Sequence, residues 1–198
     1  MDLTDRWTRL TAALAEVGAD ALLTTQAQNR RYLTGFAASD PSPASAAGWA
    51  VVGSDGATLI TSALYAEEAR STLREVRVVE ARPRHLDALP DILRDYGVRR
   101  LAFESEWLTV QQHTDLSGSL GNDVELVPTM GVVETLRERK DPEEIEAIAE
   151  AVALTDAAFA SIASELKPGV TEREVAWALE RFMRERGSEG VAFEVAVA

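Results

Sequence analysis

The residue types able to do chemistry are sparse in this chain, and their spacing narrows what they could do. There is no cysteine, which removes thiolate nucleophiles, cysteine metal ligands and disulfides. The only two histidines are His85, beside Arg84 and Asp87, and His113, beside Asp115. Hydrolysis by a pair of bound metal ions needs several carboxylates, usually with a histidine, converging so that a bridging water becomes nucleophilic. Neither histidine has a second histidine or a carboxylate at i+3 or i+4, so both read as surface or structural residues rather than metal ligands. Glu143, Glu144, Glu146 and Glu150 recur at helical spacing, as a solvated helix face does, and Glu67 and Glu68 carry no stronger signal. No serine sits in a Gly-x-Ser-x-Gly elbow, and neither glycine-rich phosphate-binding pattern occurs. From these residues no catalytic group and no metal ligand is assigned.

The elements that would position a site alternate in type. Apolar residues at helical spacing predict a helix over residues 3–17 (Leu3, Trp7, Leu10, Leu14, Val17), stopped by Gly18. Residues 20–25 read as a buried strand, 26–31 as a polar turn, and 37–47, rich in Ser, Pro and Ala, as a loop. A hairpin follows, with strands at 49–52 and 57–60 around Gly53-Ser54-Asp55-Gly56. Then come a helix over 62–73, a strand over 76–79, a helix over 86–96 and a strand over 100–103. A helix capped by Thr109 and Gln112 runs to Leu120, and a strand spans 124–127. Such alternation predicts an α/β sheet covered by helices, largely parallel with one antiparallel hairpin.

Beyond Pro128 the pattern turns helical. Arg137, Arg139 and Lys140 give way to Asp141, Pro142, Glu143 and Glu144. Proline in a first helical turn sacrifices no hydrogen bond, and Asp141 with Glu144 can form a capping box whose acids complement the helix dipole. The helix expected over 141–166 is broken by Pro168-Gly169. Thr171 and Glu174 cap another, expected to end at Gly187, and 192–198 reads as the beginning of a strand. Two helices with apolar faces and so little sheet to cover leave those faces exposed.

With 198 residues, 46% of them hydrophobic, there is enough apolar surface for a real core. The net charge of −13 disfavours nucleic acid and anionic membranes as partners. Lysine stands only at 140 and 167, the other basic residues being arginine. The N-terminus lacks an apolar signal core, and no apolar run approaches the roughly 20 residues that span a bilayer. These features make a cytoplasmic protein the expectation.

Three stretches together carry a resemblance: Asn29-Arg30-Arg31-Tyr32-Leu33-Thr34-Gly35-Phe36, the Arg137-x-x-Lys140-Asp141-x-x-Glu144-Ile145 run, and Leu166-Lys167-Pro168-Gly169-Val170-Thr171-Glu172. In order and spacing they resemble the creatinase, prolidase and Xaa-Pro aminopeptidase family of M24-type metallopeptidases. The resemblance implies a creatinase-type N-terminal domain over residues 1–127, a connector over 128–140, and at 141–198 the incomplete start of a pita-bread α+β domain. It implies peptide substrates with proline at the second position, two divalent metal ions (Mn, Co or Zn) and a homodimer. The family's ligands, two Asp, one His and two Glu, fall beyond the segment that resembles its first two catalytic-domain helices. None is therefore carried onto this sequence, and the chain alone is expected to bind no metal and to be inactive.

In dimeric relatives the N-terminal domain of one subunit helps to close the active site of the other. Tyr32, Phe36 and Asp40, at the start of the 40–43 loop, are on that ground candidate substrate-binding residues. Tyr32 and Phe36 also suit core packing against the first helix. Phe193, just before the turn that leads to the family's first active-site histidine, is a fourth candidate, for which an ordinary core position is the simpler reading. Two rivals share the architecture: a creatine amidinohydrolase, and a peptidase-like module that binds protein partners without catalysis.

Overall fold

A computed structural model describes residues 3–164 and 166–197. The chain divides into two compact units, Met1–Arg139 and Lys140–Ala198. Among the described residues the first holds six strands, β1 (Ala21–Thr24), β2 (Gly48–Gly53), β3 (Gly56–Thr61), β4 (Val76–Glu80), β5 (Arg100–Glu104) and β6 (Glu125–Thr129). Six of its helices are α1 (Leu3–Glu16), α2 (Ala27–Thr34), α3 (Ala63–Thr72), α4 (His85–Asp95), α5 (Val110–Leu120) and α6 (Val132–Glu138). The second unit contains α7 (Pro142–Ala163) and α8 (Glu172–Arg184).

The strands form one mixed sheet in the order β4-β3-β2-β1-β5-β6. The expected hairpin is β2–β3, with Gly53 opposite Gly56. β1 also pairs antiparallel with β2, an antiparallel contact beyond the one expected. The reason lies in α2, which reverses the chain between β1 and β2 without crossing the sheet. The β1–β5, β3–β4 and β5–β6 pairs are parallel, each joined through at least one helix, as parallel pairing requires.

Alternation of side chains along each strand divides the core between two faces. On one face Leu22, Ala50, Val52, Leu59 and Ala102 pack with Leu10 and Leu14 of α1, Leu33 of α2, Ala69 of α3 and Val133 of α6. On the other, Leu23, Val51, Ile60, Leu101 and Phe103 meet Leu86, Leu89, Ile92 and Leu93 of α4 and Leu116 and Leu120 of α5. Each fully buried leucine contributes roughly 1.5–3 kcal/mol.

Two expectations are corrected. The 26–31 stretch is not a turn but the start of α2, whose buried side chains include Asn29, Arg30 and Thr34. Within 26–31 the buried side chains, Asn29 and Arg30, are polar, so apolar periodicity could not reveal it. Residues 192–197 form no strand, because among the described residues no partner strand satisfies their backbone groups. Ala198, the end of that expected strand, and Glu165, inside the expected 141–166 helix, lie outside the described residues.

In the second unit the capping boxes form as read from the sequence. Asp141 accepts from Glu144 N at 2.9 Å while Glu144 Oε2 accepts in return from Asp141 N, and Thr171 and Glu174 do the same for α8. α7 and α8 pack on each other, yet Ile145, Ile148, Val152, Phe159 and Trp177 stay exposed, and among the described residues of this unit only Ala158 is buried. No helix of the described residues is long and apolar enough to cross a membrane.

Candidate functional site

The Asn29-to-Phe36 motif occupies α2 and its left-handed C-cap, Gly35, whose φ of 79° suits glycine. Its side chains radiate into three environments, each holding one end of a loop or helix.

Arg30 points into the protein, its side chain fully buried. Its guanidinium meets the Asp40 carboxylate at 2.9 and 3.0 Å, and Asp40 is itself only 2% exposed. The same two terminal nitrogens also donate to the carbonyls of Gly48 at 2.8 Å and Ala38 at 2.6 Å, and more weakly to Thr25, while Nε has no hydrogen-bond partner among the described residues. Asp40 also accepts from Ala47 N at 2.7 Å. A planar two-pronged donor thus ties Ala38 and Asp40 of the 37–47 loop, and through Asp40 also Ala47, to α2 and the entry to β2. Phe36 lies against the same guanidinium, 5.2 Å from its ring centre, and meets Tyr65 edge-on at 5.9 Å.

Tyr32 faces the opposite way, under α1 and α6. The Arg6 guanidinium stacks 4.0 Å from its ring, while its hydroxyl donates to the Leu136 carbonyl at 3.4 Å. Arg9 reaches the same carbonyl at 2.7 Å. Tyr32 and Phe36 are both buried, Asp40 is consumed in its ion pair, and Phe193 is 79% exposed. Tyr32, Phe36 and Asp40 thus converge on one helix and its loop, while Phe193 stands in the second unit. The core position read for Phe193 is not what the structure shows, since the side chain is largely exposed.

A third environment escaped sequence reading. Glu104, at the end of β5, accepts from Thr24 Oγ1 at 2.9 and 3.0 Å, Asn29 Nδ2 at 2.7 Å, Thr25 N at 3.1 Å and Gln26 N at 3.3 Å. The carboxylate caps the start of α2, where Gln26 supplies no side-chain cap. Burial pushes the Glu104 carboxyl above its ordinary range, against the opposing pull of the bonds from Asn29, Thr24 and the two backbone N–H groups. Asn29 passes the network on, donating to Glu134 at 2.6 Å and accepting from Arg137 at 2.8 Å. These partners lie 75 to 108 residues away, and no local pattern announces them.

The histidines take structural positions. His85 stacks on Trp49 with ring centres 5.8 Å apart, and burial, reinforced by Arg30, lowers its pKa. His113 tilts against Phe103 at 5.3 Å. Among the described residues no group of three or more His, Asp or Glu could hold a metal ion.

Beside Glu104 the carboxyl ends of β1, β5 and β6 open into a cavity of about 290 Å³. It lies between β1 and β5, from which the chain departs to opposite sides of the sheet, toward β2 and toward β6. In open α/β sheets this switch point is where ligands commonly bind.

Comparison with known proteins adds sequence and structural likeness. Residues 6–139 match the creatinase/prolidase N-terminal domain family, and residues 146–198 match metallopeptidase family M24. An uncharacterized peptidase of Bacillus subtilis is 34% identical over 190 residues, covering 96% of this chain and 52% of that protein. A solved Xaa-Pro dipeptidase from Bacillus anthracis is 32% identical, with a TM-score of 0.87 over 97% of this chain and 52% of its own. The N-terminal domain of a cytoplasmic peptidase from Mycobacterium tuberculosis is 34% identical, with a TM-score of 0.58 over 67% of this chain and 98% of its own. The chain spans about half the length of the curated relatives that it matches.

Proposed function

This chain belongs to the creatinase/prolidase N-terminal domain family, and on that premise we propose that it is the N-terminal part of a metal-dependent Xaa-Pro peptidase of the aminopeptidase P or prolidase type. The complete enzyme hydrolyses the bond before proline in peptides. The observation that carries this reading is the likeness to the Bacillus anthracis Xaa-Pro dipeptidase, which extends over 97% of the chain at 32% identity.

In this reading residues 1–127 form the creatinase-type domain, 128–140 connect, and 141–198 begin the pita-bread domain. Two divalent ions, Mn, Co or Zn, would supply the complete enzyme with Lewis-acid activation of water. The residues present here do not fit that pair, as no group of three or more His, Asp or Glu among the described residues could hold a metal ion. The chain alone is inactive. Its own contribution is to shape a neighbouring site in a cytoplasmic homodimer: Arg30 and Asp40 hold the 37–47 loop in one conformation, with Phe36 beneath it and Tyr32 securing α2 to α1 and α6. Phe193, exposed on the second unit, is the residue of this set with apolar surface to offer a substrate.

The test compares the 198-residue chain with the complete gene product. Manganese-dependent release of the first residue is measured from an Xaa-Pro dipeptide and from a longer peptide with proline second, with creatine as a third substrate. Activity of the complete protein on either peptide, with none from the chain, is the expected result. Creatine hydrolysis, or a complete protein inert on all three, overturns the proposal.

A further inference from the structure

The end of the 37–47 loop that enters β2 is held by neutral contacts as well as by the Arg30–Asp40 pair. Thr61 Oγ1 donates to the Ala47 carbonyl at 2.6 Å, and Gln112 Nε2 of α5 donates to the Pro43 carbonyl at 3.1 Å. Ala46 packs into the same apolar cluster as Trp49, the second residue of β2, which is buried. The ring of His85, the first residue of α4, stacks on that indole with the two planes 22° apart.

The surroundings of His85 suit a neutral ring. Its Nε2 is shielded from solvent and has no hydrogen-bond partner among the described residues. Two positive fields act on the ring, from the Arg30 guanidinium of α2 and from the amino end of α4. One negative field, from Asp40 of the loop, belongs to a carboxylate already paired with Arg30. Burial and then Arg30 hold the His85 pKa below its ordinary 6.5, against the pull of Asp40. Arg84 and Asp87, on either side of it in the chain, pair with each other at 2.8 Å. On α5, which packs on α4, Asp115 accepts from Gln111 at 2.8 Å and His113 lies against Phe103. An indole face by itself attracts an imidazolium. Here a charged ring would carry a shielded N–H with no acceptor, and that penalty falls on the charged form alone.

We propose that His85 is a proton-operated latch on the 37–47 loop. Neutral, the ring covers Trp49 and braces the end of the loop that enters β2. On taking a proton from solvent it leaves the indole for water, and the loop opens while the sheet stays folded. The closed loop therefore loses stability as pH falls from 6.5 through the lowered value of the closed state. Only the consequence rests on the function proposed above: acid would open the loop that borders the neighbouring subunit's site.

The experiment follows proteinase K cleavage within residues 37–47, located by mass spectrometry, on the 198-residue chain and on His85→Phe. Phenylalanine keeps a ring on Trp49 and cannot titrate. The ratio of the two rates at each pH removes the pH dependence of the protease itself. From about pH 7.5 to about pH 5 that ratio should rise about fivefold or more, with the circular dichroism spectrum unchanged. The rise should track the titration of the His85 ring protons, assigned by their loss in His85→Phe, since the chain has only two histidines. A flat ratio, a His85 titration midpoint at or above 6.5, or opening only together with loss of circular dichroism overturns the proposal. Should His85→Phe fail to fold, His85→Gln decides by the same criteria. Every readout is of the loop itself, so the latch stands or falls separately from activity on Xaa-Pro peptides.

Discussion

Substituting Asp40 tests the part of the structure that depends most on one contact. Asp40→Ala leaves the fully buried Arg30 guanidinium with carbonyl partners but no counter-charge, and also removes the acceptor of the 2.7 Å bond from Ala47 N. Breaking a buried pair from one side costs about 3–5 kcal/mol, because the remaining charge is stranded out of water. The lost backbone bond adds roughly 1 kcal/mol. Against a total stability on the order of 5–15 kcal/mol, that is a large share of what holds the first unit folded. Urea unfolding followed by far-ultraviolet circular dichroism measures it, with limited proteolysis reporting cleavage within residues 37–47. Replacing both partners, Arg30→Met with Asp40→Leu, should restore much of the loss, since no uncompensated charge is then buried. The reasoning fails if Asp40→Ala costs less than about 1 kcal/mol, the range of an exposed pair, or if the loop resists protease as before.

Three further outcomes follow from the same geometry. The Glu104 carboxyl has its pKa raised on folding, so the stability it contributes is fully present below its unfolded value near 4.5 and is lost as pH rises through the folded value. Urea midpoints of the protein, taken relative to Glu104→Gln, should therefore fall as pH is raised from 4.5, and a flat difference would contradict the burial of this group. His85 has the opposite sign. Its pKa is lowered from 6.5, so its contribution is present above 6.5 and lost as pH falls through the folded value, and His85→Gln should flatten the acid limb of the stability profile. In the second unit, Asp141→Ala should destabilise α7 by about 1 kcal/mol through loss of its cap, read as faster amide exchange in the first turn of that helix.

Much was legible from the sequence because it is encoded locally. The capping boxes at Thr109 and Gln112, Asp141 and Glu144, and Thr171 and Glu174 need only a side chain three residues from its partner, and all three form. The Gly53 to Gly56 turn and the apolar stripe of α1 are likewise readable from period and turn chemistry. So were the resemblance of the Asn29-to-Phe36 motif and the α/β class of the first unit, since both depend on residues close in the chain.

Tertiary structure alone decided the rest. That Arg30 would be buried follows from Asp40, Ala38 and Gly48 arriving around it, and a sequence reader assigns arginine to the surface because water is its usual partner. Asp40, read as a loop residue open to substrate, became the counter-charge by the same convergence. Glu104 caps a helix whose start lies 78 residues earlier, through the parallel β1–β5 pairing, and that pairing also creates the cavity beside it. The sequence by itself determined which segments would be helix and which strand wherever apolar period and caps agreed. Which polar groups would leave water was decided only by folding, because desolvation is a property of what surrounds a group in space and not of its neighbours in the chain.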